Sequence, residues 1–202
     1  MLTGLLVAVA GWSLAYGLEI MGTTREAKWL WETCSVSFGA WIAPTWLLLA
    51  LRYTGQERWL QRRRIIFLCL PATLTTLLAI TNVWHHLVWS DIALVQGPFL
   101  AAVPSYGPWF WVHIFFTYTY ILIGIVIFLF HIVRQPELYR QQAGFIVTAM
   151  ALPIVGNVLY LLRLIPIPGL DPGPFLFALS ALLLFVAIFR YRFLDLVPVA
   201  AR

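Results

Sequence analysis

Residues Trp109–Val133 read WFWVHIFFTYTYILIGIVIFLFHIV, with no aspartate, glutamate, lysine or arginine anywhere in the run. This stretch decides the fold class. A helix that crosses ~30 Å of hydrocarbon needs about 20 mainly apolar residues. A helix also satisfies every backbone hydrogen bond within its own segment, which lipid demands. Five further stretches of the same kind flank this one, at Leu2–Met21, Trp29–Leu51, Ile65–Trp89, Ala143–Leu162 and Phe175–Tyr191. The connections between them are short and polar, or rich in proline and glycine, which favours antiparallel neighbours. The expected fold class is all-α: a polytopic membrane helix bundle with six transmembrane helices, forming a single domain over residues 1–202.

Composition agrees. The 202 residues are 62% hydrophobic and only 10% charged, where soluble domains carry roughly 25%. That is too little charge to cover a water-exposed surface. The apolar N-terminus has no basic leader region and runs on as a full-length span, so no cleavable signal peptide is expected. Cys34 and Cys69 both lie in apolar stretches and read as small core residues rather than a disulfide or metal pair. No metal site and no cofactor are expected. Haem ligation through His113 and His131 would need matching histidines on a second helix, and His85 and His86 could serve only one level. A Schiff base to retinal needs a buried lysine, and Lys28, the only lysine, reads as interfacial.

Lysine and arginine distribution sets the expected orientation. Arg52, Arg58, Arg62, Arg63, Arg64, Arg134, Arg140, Arg190, Arg192 and Arg202 fall on one side, and only Arg25, Lys28 and Arg163 on the other. The expectation is a multi-pass protein of the cell (inner, or cytoplasmic) membrane with a cytoplasmic C-terminus. Trp84, Trp89, Trp109 and Trp111 mark the opposite, outer interface. The net charge of +5 thus belongs to topology and to lipid headgroups, and no nucleic acid is expected as a partner.

Ionisable and amide groups inside spans are costly, at roughly 2.5–3.5 kcal/mol for a charge at a helix centre. Here nearly all lie in the expected outer half. Glu19 ends the first span and Glu32 sits in the first turn of the second. Asn82, His85 and His86 fall at i, i+3 and i+4 of the third. His113 is one turn into the fourth, Asn157 lies in the outer half of the fifth, and Asp171 precedes the sixth. Two readings stay open. These residues, with Trp109, Phe110 and Trp111 as walls, line a ligand pocket, or they are interhelical glue and interfacial residues. Pro44, Pro71 and Pro153 read as static kinks. Gly4, Ala8, Gly11 and Ala15 read as a close-packing stripe, with the neighbouring helix left open.

The order of several stretches resembles the N-terminal seven-transmembrane sensor region of bacterial and archaeal histidine kinases. They are GWSLAYGLEI (11–20), APTWLLLALRYTGQERWL (43–60), LLAITNVWHHLVW (77–89), YGPWFWVHIFFTYTYIL (106–122), LPIVGNVLYLL (152–162), LDPGPFLFALSALLL (170–184) and FRYRFLDLVPVAAR (189–202). The resemblance implies a signal-input domain in two-component signal transduction, feeding a cytoplasmic PAS or kinase module and working as a homodimer. Its recurring polar positions fall on Glu19, Asn82, His85, Asn157 and Asp171, with Tyr106 and Gly107 before the fourth span. The family has seven helices, so the resemblance implies a further helix ahead of Leu2. No phosphoacceptor helix or glycine-rich nucleotide box is present, so the segment is not expected to be an enzyme by itself. The combined expectation is a receptor for a small-molecule or lipidic ligand, with output through the last helix at Arg190, Arg192 and Asp195. The alternative is a small membrane transporter or channel, although no internal repeat is visible.

Overall fold

The computed structural model describes residues 1–96, 99–133, 138–167 and 170–191. The described residues are mostly helical, at 76%. It runs α1 (Leu2–Met21), α2 (Arg25–Ala40), α3 (Ile42–Tyr53), a 3-10 turn (Glu57–Leu60), α4 (Arg62–Ile80), α5 (Asn82–His85), β1 (Trp89–Gln96), β2 (Leu100–Tyr106), α6 (Pro108–Val133), α7 (Leu138–Leu161) and α8 (Gly173–Tyr191). Among the described residues four helical stretches are long and apolar enough to cross a membrane: Leu2–Met21, Arg25–Tyr53, Arg62–Ile80 and Pro108–His131. The chain divides into two compact units. The first is Met1–Phe128 with Ile167–Leu170, and the second is Leu129–Pro166 with Asp171–Arg202.

In the first unit α1 packs on α2 and α3, and α2 packs on α4. The small residues of α1 explain the first of these contacts. Ala8 and Ala15 are buried, Gly4 faces Thr45, and a Cβ at Gly11 would collide with the Phe38 ring. The stripe therefore packs within the chain.

The second span is not one continuous helix. It breaks at Trp41, between α2 and α3. Pro44 then sits in the first turn of α3, where the missing N–H costs least. Thr45 Oγ1 donates back to the Trp41 and Ile42 carbonyls at 2.6 and 3.0 Å. Pro71, by contrast, lies inside α4 without ending it.

Two apolar clusters sit at opposite ends of this unit. Ala43, Leu47, Leu51 and Tyr120 join α3 to α6, with Leu60 and Leu68 packed against them. Ala79, Val88, Trp89, Ile92 and Ala102 join the end of α4 to the two strands, with Trp29 and Trp109 against them.

The strands are the departure from expectation. The apolar third segment does not continue as a helix to Trp89: α4 ends at Ile80 and α5 at His85. His86 takes the left-handed conformation, φ 54°, which halts a helix. Beyond it β1 and β2 form an antiparallel hairpin, from Trp89 paired with Tyr106 to Gln96 paired with Leu100, irregular between Trp89 and Asp91. Hydropathy does not distinguish a short buried strand from the end of a helix.

In the second unit α7 packs on α8. Asp171 Oδ1 accepts from the Gly173 N–H at 2.8 Å, satisfying one of the free donors where α8 begins.

Candidate functional site

At the hairpin end of the first unit, the turn from α1 into α2 is short and Thr24 caps α2 by accepting from Ala27 N–H at 3.2 Å. This sets Lys28 one turn into α2, beneath the strands. Lys28 is 0% exposed and Glu19 3%, and Nζ lies 2.9 Å from Glu19 Oε1. The ammonium donates to the carbonyls of Glu19 at 2.5 Å and Ile20 at 3.4 Å. Those carbonyls belong to the last turn of α1, where a cation also meets the negative end of the helix dipole. The Ala102 backbone N–H of β2 donates to the Glu19 carboxylate, and the Phe99 ring centroid lies 5.9 Å from Nζ. One buried ion pair thus holds together two helices and the hairpin. The interfacial reading of Lys28 gives way to this clamp. The signal in the sequence was a lone lysine nine residues after a glutamate that closes an apolar helix, across a turn too short to separate them.

A second group ties down the root of the hairpin. Asn82 is 0% exposed. Its Nδ2 donates to Trp89 O at 2.8 Å, and its Oδ1 accepts from Val88 N–H at 2.8 Å and Trp89 N–H at 3.4 Å. Its amide is spent on backbone. His85 Nδ1 accepts from Leu87 N–H at 3.0 Å, so the proton of the neutral ring belongs on Nε2, 3.0 Å from Thr81 Oγ1. Thr81 in turn donates to Leu77 O at 2.7 Å. This chain of bonds ends α4 and shapes the following turn. His86 is exposed. The expected i, i+3, i+4 face therefore does not form, because the helix stops within it.

Gly107 closes the same root from the other strand. Its N–H donates to Val88 O at 2.9 Å, and Trp109 N–H donates to Leu87 O at 2.8 Å. A Cβ at Gly107 would collide with the Leu87 carbonyl. Tyr106 stacks on Phe110 with centroids 3.7 Å apart.

A third group lies deeper. Trp109 Nε1 donates to Thr75 Oγ1 at 3.1 Å, Thr75 Oγ1 lies 3.4 Å from His113 Nδ1, and Thr117 Oγ1 lies 3.5 Å from His113 Nε2. An indole only donates, so Thr75 Oγ1 accepts from Trp109. His113, Phe116, Thr117 and Tyr120 of α6 face Ala40, Ala43, Pro44, Pro71 and Ala72 around a cavity of about 10 Å³. That is the scale of a single water. The cavity sits beside the α2–α3 break. Thr75, fully buried in α4, was not anticipated. A lone threonine amid apolar residues carries no signal until its helical neighbours are known.

The remaining expected residues are more scattered. Glu32 is half-buried and, because α2 begins at Arg25, lies beyond the first turn. Asn157 is half-buried in α7 and Asp171 precedes α8, both in the second unit. Burial pushes the Asp171 carboxyl up to about 6, against the opposing pull of the Gly173 N–H. Arg190 is in α8, where only the backbone is described. Arg192 and Asp195 lie outside the described residues. Among the described residues no group of three or more histidine, cysteine or carboxylate side chains could hold a metal ion.

The profile of one family, the N-terminal 7TM region of histidine kinase, matches residues 1–198. No curated protein and no solved structure matches the chain.

Proposed function

Because this chain belongs to the N-terminal 7TM regions of histidine kinases, we propose that it is the membrane-embedded signal-input domain of such a kinase, itself non-catalytic. It senses a small polar or lipidic ligand at the hairpin end of its first unit. The arginine-rich end faces the cytoplasm, and output leaves through α8 by way of Arg190, Arg192 and Asp195 into a PAS or kinase module, within a homodimer and a single sensor domain.

The observation that supports this reading is the set of polar groups held inside an otherwise apolar unit: the Glu19–Lys28 pair under the hairpin and, deeper, the Trp109–Thr75–His113 chain. The His113 chain, with its long 3.4 and 3.5 Å contacts, is the least committed of the polar groups there. It borders both the cavity and the helix break at Trp41. Asn82 and His85 act as positioning residues that hold the wall, their polar atoms being engaged by backbone. A ligand that bound His113 and Thr117 better in one arrangement of α2–α3 than another would shift the balance between them. The family match supports this reading over a transporter or channel.

The test is a thermal-stability screen of the chain in lipid nanodiscs against small polar and lipidic compounds, repeated on His113→Leu and Thr117→Val. A stabilising compound whose effect is lost in both variants, each otherwise folded, supports the site. Compounds whose effect survives both variants place sensing elsewhere.

A further inference from the structure

The opposite end of the first unit carries a second feature, independent of ligand sensing. Between the end of α3 at Tyr53 and the start of α4 at Arg62, the chain turns through Gly55, at φ 69°, and the 3-10 turn Glu57–Leu60. Leu60 packs into the α3–α6 cluster, which anchors the turn. Trp59 stays 43% exposed. The Arg64 guanidinium lies over the Trp59 ring at 5.0 Å and donates to Arg58 O at 2.8 Å, which fixes the shape of the turn. Arg52, Arg58, Arg62 and Arg63 surround it, all exposed. Among the described residues no carboxylate pairs with any of these arginines: the ion pairs formed there are Arg25–Asp91 and Lys28–Glu19. Five guanidiniums thus lie in or flank one short loop whose single carboxylate is Glu57.

We infer that this turn is a binding surface for the phosphate headgroups of anionic phospholipids. Three facts fix the ligand class. The turn joins two membrane-spanning stretches, so it lies at headgroup depth. An exposed tryptophan at that depth is the residue of the membrane interface. Unpaired guanidiniums match phosphate oxygens in charge and in bidentate geometry. With Arg64 held on Trp59, Arg62 and Arg63 are the arginines left for phosphate at the start of α4.

The experiment is native mass spectrometry of the full chain released from micelles containing equal phosphatidylglycerol and phosphatidylcholine. The expected result is preferential retention of phosphatidylglycerol. At about 1 kcal/mol per arginine near the surface, the Arg62→Gln/Arg63→Gln pair lowers that preference roughly thirtyfold. Arg62→Lys/Arg63→Lys keeps the charge that orients the chain, and lowers the preference by a smaller factor if guanidinium geometry adds to charge. Arg25→Gln, at the other end, leaves it unchanged. An undiminished preference in both arginine pairs overturns the proposal, as does an equal loss in Arg25→Gln. Displacement of the lipid by inorganic phosphate would likewise overturn it, by assigning the surface to soluble anions.

Discussion

The two ends of the first unit handle charge in opposite ways. At the hairpin end, Lys28 and Glu19 are withdrawn from solvent, paired with each other and met by the Glu19 and Ile20 carbonyls and the Ala102 N–H. At the arginine end the charges stay exposed and, among the described residues, are met by one aromatic face and one carbonyl. A buried charge that loses its partner is stranded, whereas an exposed one turns to water or lipid. The hairpin end is therefore where substitution threatens the fold, and the arginine end is where it changes only what the surface attracts.

The sharpest way to break this contrast is Lys28→Met. It leaves the Glu19 carboxylate buried and unpaired, at an expected cost of about 3–5 kcal/mol, read as a lowered midpoint in a denaturant titration in micelles. Adding Glu19→Leu to that variant should recover most of the loss, since replacing both members of a buried pair by apolar residues is often neutral. A double variant no better than the single one would contradict the assignment of the cost to a stranded charge. Next in size is Asn82→Leu, which deprives Val88 N–H and Trp89 C=O of their partner and is expected to cost roughly 2–3 kcal/mol. Amide exchange at Val88 should accelerate with it. Trp109→Phe removes the bond to Thr75 together with part of the indole's packing on the hairpin cluster, an expected loss of about 2 kcal/mol, accompanied by a changed imidazole NMR signal at His113. Arg25→Gln breaks the ion pair to Asp91, whose side chains are 60% and 63% exposed, and should shift stability by under about 1 kcal/mol. Smallest of all, Arg62→Gln/Arg63→Gln should leave the unfolding midpoint of correctly inserted protein unmoved. A large shift there would erase the distinction between the two ends.

Much of the fold is legible in the sequence because lipid permits so few solutions. The stretch Trp109–Val133 has the length and composition of a span, and α6 occupies Pro108–Val133. The first span matches α1 residue for residue. The hairpin is not legible, because no strict alternation of apolar and polar residues runs through residues 89–106 to announce two strands. Its onset depends on a left-handed His86 and on side-chain bonds from Asn82 and His85 that no period announces. That Glu19 and Asn82 both come to the hairpin end follows from alternating helix direction. Their partners do not: Asn82 meets Trp89 backbone and Lys28 meets α1 carbonyls, contacts decided by a turn and a hairpin absent from the helical reading. Thr75 and Gly107 acquire meaning only from what faces them.

The clamp at Lys28 bears on how the hairpin can be exchanged. Residues 89–106 look like a removable loop, the natural place to graft a sequence from a relative or to insert a tag. Yet Ala102 supplies an N–H to Glu19, and Phe99 roofs the ammonium. A graft matching the strands in length but lacking a backbone donor at that position would leave an ion pair facing a new and unprepared surface. Chimeras at this hairpin should therefore carry the residues at positions 19 and 28 along with the strands, as one transferable part.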